Sequence, residues 1–292
     1  MSMKHIVFII NPKSGVERQK EIKHAIEEHL DKKVYSYEIL NTEFAKHGIT
    51  LAKEAARNGA YAVVAVGGDG SVNDVVQGLL GTETLLGIIP KGSGNGMART
   101  MGIPLDSSEA MNVINKGNTV AMDVGYANGQ PFISNAGVAF DALISKKFAK
   151  SEKRGLMIYT WLVTKYMWLY KERDFKIVID GKEIKEKAFM VNVANGQQFG
   201  YNFQIAPMAS YTDGLLDLII IRKFPKILGG ILSWQAMTGR ITKSRYVRHL
   251  TGREITISNP LLKLMQTDGD AHPCENEIQF KIQKGAQKVL VP

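Results

Sequence analysis

Three stretches of this chain join glycine to polar residues at the ends of apolar runs, where a phosphate could be received. Asn11-Pro12-Lys13-Ser14-Gly15 follows the run at 5–10. A polar turn entering a helix offers unpaired backbone N–H groups and the positive end of the helix dipole to an anion. The same residues would also make a plain strand-to-helix turn. Gly67-Gly68-Asp69-Gly70-Ser71-Val72-Asn73-Asp74 follows the β-branched run at 61–66 and opens a helical stretch through Leu80. Glycines this dense cost backbone entropy on folding, which is tolerated where a ligand must approach the main chain. Asp69 is positioned to orient a ribose hydroxyl, a water or a magnesium-bound phosphate; alternatively the stretch is a tight turn with Ser71 as helix N-cap.

The third stretch, Pro90 to Arg99, repeats strand, loop and helix, with Gly92, Ser93, Gly94 and Asn95 at its centre and Lys91 and Arg99 adding positive charge. Two such loops on one sheet edge can share a polyphosphate. The G-x-x-x-x-G-K-[ST] spacing and the protein-kinase pattern are both missing, so the site is not of the Walker kind. A fourth stretch, Gln266-Thr267-Asp268-Gly269-Asp270, sets two carboxylates around a glycine. Alone it reads as a surface turn.

The elements needed to hold these loops are legible as periodicity. Apolar runs at 5–10, 34–39, 61–66 and 85–89 alternate with helical spacing at 17–30 and 49–57. Strands separated by helices predict a parallel sheet covered on both faces, with its loops collected at the carboxyl edge. Beyond residue 120 the rhythm becomes short alternating runs. Asp180-Gly181-Lys182 between 175–179 and 184–193 predicts a hairpin. Further runs at 132–135, 216–221, 254–258, 263–267, 278–282 and 287–291 predict an antiparallel β-sandwich with one long helix near 155–171. The fold class is thus α/β: a doubly wound unit followed by a sandwich, with the boundary near residue 120.

Composition agrees. The chain has 292 residues, 45% hydrophobic and 22% charged, inside the globular range. One cysteine, Cys274, provides neither a disulfide partner nor a zinc cluster, which points to the reducing cytosol. The apolar N-terminal run reads as a strand rather than a signal peptide. The longest apolar stretch, 156–170, is interrupted by Thr160, Thr164 and Lys165 and falls short of the roughly 18 to 20 residues that span a bilayer.

The net charge of +9 is local: residues 222–253 carry eight Lys or Arg and no Asp or Glu. Interleaved apolar residues there suit anionic lipid, nucleic acid or a simple solvated face. No compact nucleic-acid module is visible, so no nucleic acid is expected. The aromatics of 155–171 suit a membrane interface or a helix packed on the sandwich.

The order of these motifs, with Asn135-Ala136-Gly137, Ile205-Ala206-Pro207, Asp213-Gly214-Leu215-Leu216-Asp217 and the closing Lys288-Val289-Leu290-Val291-Pro292, resembles the diacylglycerol and sphingosine kinase superfamily, near the bacterial soluble lipid kinases. The resemblance spans essentially the whole chain. It implies a phosphofructokinase-like ATP-binding domain at 1–120, to which 284–292 returns, and a lipid-binding sandwich at 121–283. It implies transfer of the ATP γ-phosphoryl group to a lipid hydroxyl with Mg2+. Asn11, Lys13, Gly67, Gly68, Asp69, Gly70, Asn73, Gly92, Ser93, Gly94 and Asn95 would hold the nucleotide, Asp268 with Asp270 would be catalytic, and Asp213 would hold a structural magnesium.

The third loop is closer to the sphingosine and ceramide kinase version, and Asp270 stands where the family's turn ends in Glu. By the resemblance Asp268 matches the carboxylate that accepts the proton of the attacking hydroxyl; a carboxylate of pKa ~4 is too weak to ionise an alcohol beforehand, so Asp268 would take the proton late, as the new P–O bond forms. A NAD kinase and a nucleotide-binding regulator without catalysis are the competing readings. A peripheral membrane association is a further expectation.

Overall fold

A computed structural model describes residues 3–12, 16–151, 155–200 and 202–292. Two compact units divide the chain: Met1–Met122 with Lys284–Pro292, and Asp123–Gln283.

In the first unit β1 (Lys4–Ile10), α1 (Val16–His29), β2 (Tyr35–Asn41), α2 (His47–Arg57), β3 (Ala62–Gly67), α3 (Asp69–Leu79) and β4 (Leu85–Pro90) alternate as their periodicity predicts. A single helical turn, α4 (Gly96–Thr100), then α5 (Ser107–Lys116) and β5 (Thr119–Ala127) follow. The sheet is parallel: β1 lies between β2 and β3, and β3 pairs β4. The chain's last strand closes this edge, with Val289 opposite Leu86. Every residue of β3 and β4 is buried, as expected for strands covered on both faces. Close packing of α2 on α3 requires Gly78, where a Cβ would lie 2.5 Å from the Ile49 carbonyl oxygen. The loops leaving β1, β3 and β4 therefore rise from three neighbouring strands, at the edge where open α/β sheets bind ligands.

Two details differ from the sequence reading. Helix α3 begins at Asp69 with Gly68 as its N-cap, so Ser71 lies inside the helix rather than capping it. Helix α5 had no place in the expected rhythm; Asp106 caps it by accepting the N–H groups of Ser108 and Glu109 at 2.9 and 3.1 Å.

The second unit continues from β5 through β6 (Gln130–Phe132), β7 (Asn135–Ala139), α6 (Phe140–Ala149), α7 (Leu156–Leu169), β8 (Arg173–Ile179), β9 (Lys182–Ala194) and β10 (Leu216–Arg222). After these come α8 (Gly229–Met237), β11 (Val247–Gly252), β12 (Glu254–Ser258), β13 (Leu264–Thr267), β14 (Asp270–Pro273) and β15 (Glu277–Leu290). The hairpin between β8 and β9 forms as expected, with Asp180 and Gly181 at φ 45° and 82°.

Strand β9 serves two antiparallel layers. Its first half pairs β8, which continues to β12 and β15; its second half pairs β7 and β10, which continue to β13 and β11. Ile177, Ile255 and Phe280 from one layer meet Val191, Leu218 and Ile220 from the other in a common core. The alternate residues Ile219 and Ile221 of β10 face a second core beneath α6, α7 and α8. This helical layer explains why residues 218–221 of β10 are all apolar: both faces are covered.

The strand expected at 132–135 is instead the break between β6 and β7. The backbone N–H groups of Ile133, Ser134 and Asn135 all point to the Asp268 carboxylate, so they are withdrawn from any ladder. The runs expected at 278–282 and 287–291 are parts of β15.

Candidate functional site

Within the first unit the second and third glycine loops touch. A Cβ on Gly92 would lie 2.4 Å from the Gly68 Cα, so only glycine lets these backbones meet. The Lys91 N–H donates to the Gly67 carbonyl at 2.8 Å, and the Met97 N–H donates to Asp69 Oδ1 at 3.1 Å. Asp69 thus ties the two loops together, a role its position between glycines did not reveal.

Asn95, left-handed at φ 52°, accepts the Gly92 N–H at 2.9 Å and donates back to the Gly92 carbonyl at 2.8 Å. This pair closes the third loop into a small ring. Asn11 is beside the second loop: its backbone N–H donates to the Val66 carbonyl, and its Cβ is the neighbour of Gly67 across the sheet edge. Gly70 and Ser93 are exposed on the loops, and Gly94 is half-buried. Lys13 lies outside the described residues.

Two expectations change here. Asn73 is only 6% exposed and accepts a hydrogen bond from Gln77 on its own helix, so it does not open toward a ligand with the loop residues. Lys91 is committed to Glu21 at 2.6 Å, and Arg99 donates its Nε to the Gly94 carbonyl; their charge is directed at the protein. A cavity of about 60 Å³ next to Asn11 is lined by Ser71 and Asp74 of the second stretch together with Thr42 and Phe44, which the sequence reading missed. Phe44 stacks on His47 at 4.3 Å between ring centres, a flat exposed surface at its edge.

In the second unit, Asp268 and Gly269 form the two-residue turn between β13 and β14, with φ 48° and 89°. The Asp268 carboxylate accepts N–H groups from Ile133, Ser134 and Asn135 at 2.8, 2.8 and 3.0 Å, and its own N–H donates to the Asn135 carbonyl. It is a clamp between the turn and the start of β7. Asp270, the first residue of β14, is exposed.

Behind the turn lies a buried polar cluster with no signal in sequence beyond polar residues set among apolar ones. Gln266 accepts the Gly269 N–H at 2.8 Å and donates to Asn135 and Asp141, while Asn192 donates to the same two oxygens. Burial pushes the Asp141 carboxyl up to about 6, against the hydrogen bonds from Asn192 and Gln266 that favour its charged form.

Asp213 is exposed and makes an Asx turn, accepting the Leu215 N–H at 2.9 Å. Beside it, fully buried Asp123 accepts the Gly214 N–H at 2.6 Å. Asn195 donates to the carbonyls of Asp123 and Ile133, both at 2.9 Å, which links this loop to the residues held by Asp268. The donors at the loop are oxygens, the kind magnesium takes. Among the described residues no group of three or more His, Cys, Asp or Glu could hold a metal.

A larger cavity of about 720 Å³ in this unit, lined by Phe175, Lys185, Glu186 and Asn259 among others, contains none of the expected site residues.

The architecture is one already seen in kinases. A diacylglycerol kinase from Bacillus anthracis shares it with a TM-score of 0.77 at 23% identity, covering 100% of this chain and 98% of that one. A NAD kinase from Archaeoglobus fulgidus in complex with ATP shares it at 0.55 and 14%, covering 99% and 93%. The fold class is therefore that of the diacylglycerol and NAD kinases.

Sequence separates the two. Residues 5–127 match the diacylglycerol kinase catalytic domain and residues 134–291 the YegS C-terminal NAD kinase beta sandwich-like domain. The diacylglycerol kinase of Bacillus subtilis is 31% identical over 233 residues, 76% of this chain and 75% of that protein. A Chromohalobacter salexigens protein named as a YegS-like lipid kinase is 36% identical over 186 residues, 62% of this chain and 60% of that protein, so the match spans less than two thirds of its length. The chain belongs to the diacylglycerol kinase family, with the YegS-like lipid kinases.

Proposed function

We propose that this protein is an ATP-dependent lipid kinase of the cytosol that transfers the γ-phosphoryl group to a hydroxyl of a diacylglycerol-like or sphingoid lipid. The observation that carries this reading is the contact of Gly68 with Gly92 in the loops that follow adjacent strands, in a chain of this family. Phosphoryl transfer asks for positioning and charge stabilisation more than for covalent help. The Ser71, Lys91 and Gly92 N–H groups are donated within the protein, so in this reading the N–H groups of Asp69 and Gly70 at the start of α3 are the ones that meet a triphosphate. Asn11 extends the same edge, and the hollow beside Phe44 suits the base.

Of the two catalytic candidates, Asp270 is the proton acceptor in this reading. Asp268 already receives three N–H groups that fasten it to the 133–135 segment, so in this reading, in place of the acceptor role the motif suggested, it is the positioning residue of the pair. Magnesium at Asp213 would bring fixed positive charge to that loop.

The test is lipid-dependent formation of ADP. With MgATP, a dispersed diacylglycerol or sphingoid base should stimulate ADP release and NAD should not. Stimulation by NAD alone would transfer the assignment to the NAD kinases, and none by either would favour a regulator without catalysis.

A further inference from the structure

The hairpin of β13 and β14 carries both aspartates of the candidate site, and its second strand carries a histidine, His272, that lies beyond the motif at 266–270. Strand β14 ends the order of strands, with β13 as its neighbour on one side and none on the other among the described residues. A strand held by one ladder opens more readily than a central one.

Register sets Thr267 opposite Asp270 and Met265 opposite His272. Opposite residues of an antiparallel pair share a face, and so do residues two apart on one strand. Thr267, Asp270 and His272 therefore stand on one face, with His272 the diagonal neighbour of Thr267. The two side chains meet: His272 Nε2 lies 3.0 Å from Thr267 Oγ1. Either the ring N–H donates to the hydroxyl or the hydroxyl donates to the bare ring nitrogen, according to the tautomer. Thr267 is buried, and no other hydrogen bond of the described residues reaches its hydroxyl; His272 is half-buried.

This contact falls at the base of the turn. Asp268 holds φ 48°, a left-handed conformation that disfavours a residue with a Cβ, and Gly269 holds 89°. Such a turn persists where its surroundings hold it. The Asp268 carboxylate ties it to Ile133, Ser134 and Asn135, and Gln266 accepts the Gly269 N–H at 2.8 Å. Both ties act on residues before Asp270. The tie from His272 comes from β14 itself and holds the residue opposite Asp270.

We propose that His272 is a positioning residue for Asp270. Through Thr267 it fixes the angle at which β14 leaves the turn, and with it the direction of the exposed Asp270 carboxylate. The inference rests on the reading of Asp270 as proton acceptor in a lipid kinase. A proton acceptor works only within hydrogen-bond reach of the attacking hydroxyl, so a small error in its direction lowers turnover and leaves nucleotide affinity alone. His272 carries no proton in this scheme; it acts through the hydroxyl it holds.

His272→Ala and Thr267→Val should each lower kcat for the lipid about tenfold, with the KM for ATP near wild type. The double variant should lose no more than either single one, and His272→Ala should add nothing to the loss in Asp270→Asn. His272→Gln sets an amide near the position of Nε2 and should recover most of the turnover, which a general loosening of the hairpin would not allow. Amide hydrogen exchange at Asp270 should quicken in His272→Ala and in Thr267→Val and slow again in His272→Gln, a readout that needs no turnover. Full kcat in His272→Ala, a further loss on adding it to Asp270→Asn, or unchanged exchange at Asp270 would each overturn the proposal. A wild type inert toward every lipid would contradict the kinase reading instead, and the exchange result would still decide whether His272 holds the turn.

Discussion

Asp268 and Asp270 stand one residue apart yet are held very differently, and their substitution should separate two kinds of loss. In Asp268→Asn one N–H donor from the 133–135 segment would meet an amide NH2 instead of an oxygen, at a cost of about 1 to 3 kcal/mol in stability. Asp270→Asn should leave the denaturation midpoint near wild type and ATP affinity intact while turnover falls on the order of 10²-fold or more. Equal turnover in Asp270→Asn and wild type would remove it from the chemistry.

Asp141 gives a pH signature. Its folded pKa is raised from 3.8 to about 6, so the folded chain holds the proton more tightly across that window. Stability from this group is full below the window and falls as pH rises through it. At roughly 1.4 kcal/mol per pKa unit the fall is on the order of 1 to 3 kcal/mol. Asp141→Asn should therefore gain on wild type between pH 4 and 7 in chemical denaturation; a constant gap would contradict the buried-carboxylate account. The two aspartates of the turn were legible in the sequence because they share a glycine step. Asp141, Gln266 and Asn192 were not, since a buried polar cluster is assembled from distant segments and shows in no spacing.

The phosphate-type loops depend on strand order. Because β1, β3 and β4 are neighbours, their loops gather at one edge, and the contact between Gly68 and Gly92 follows. Gly92→Ala should push the loops apart, raising the KM for ATP at least tenfold in steady-state kinetics with a smaller effect on the KM for lipid. An unchanged KM for ATP would detach that contact from nucleotide binding.

Periodicity revealed β1 to β4 and the β8–β9 hairpin because their apolar runs are bounded by strong turn residues. It missed α6, which enters directly from β7 through Ala139 at φ 69° with no side-chain cap, and α8, whose opening Gly229-Gly230 resembles a loop. For α7 the reading as a packed helix holds for its inner side, while its outer Trp161 and Trp168 are exposed.

Taken over the whole chain, fold alone would not choose between a lipid kinase and a NAD kinase, since both share the architecture. The family match at residues 5–127 places the chain with the diacylglycerol kinases, and the order of motifs from Asn11 to Pro292 pointed to the same family because glycine and aspartate turns keep their neighbours. Acceptor specificity lies in pocket shape, which no short pattern encodes. The net charge of +9 is likewise informative only by place, through the acid-free segment at 222–253. The most direct measurement is the fate of γ-labelled phosphate after incubation with MgATP and an extracted lipid mixture. The account predicts label in a chloroform-soluble phospholipid, abolished in Asp270→Asn. Label confined to a water-soluble dinucleotide, or released only as free phosphate, would contradict it.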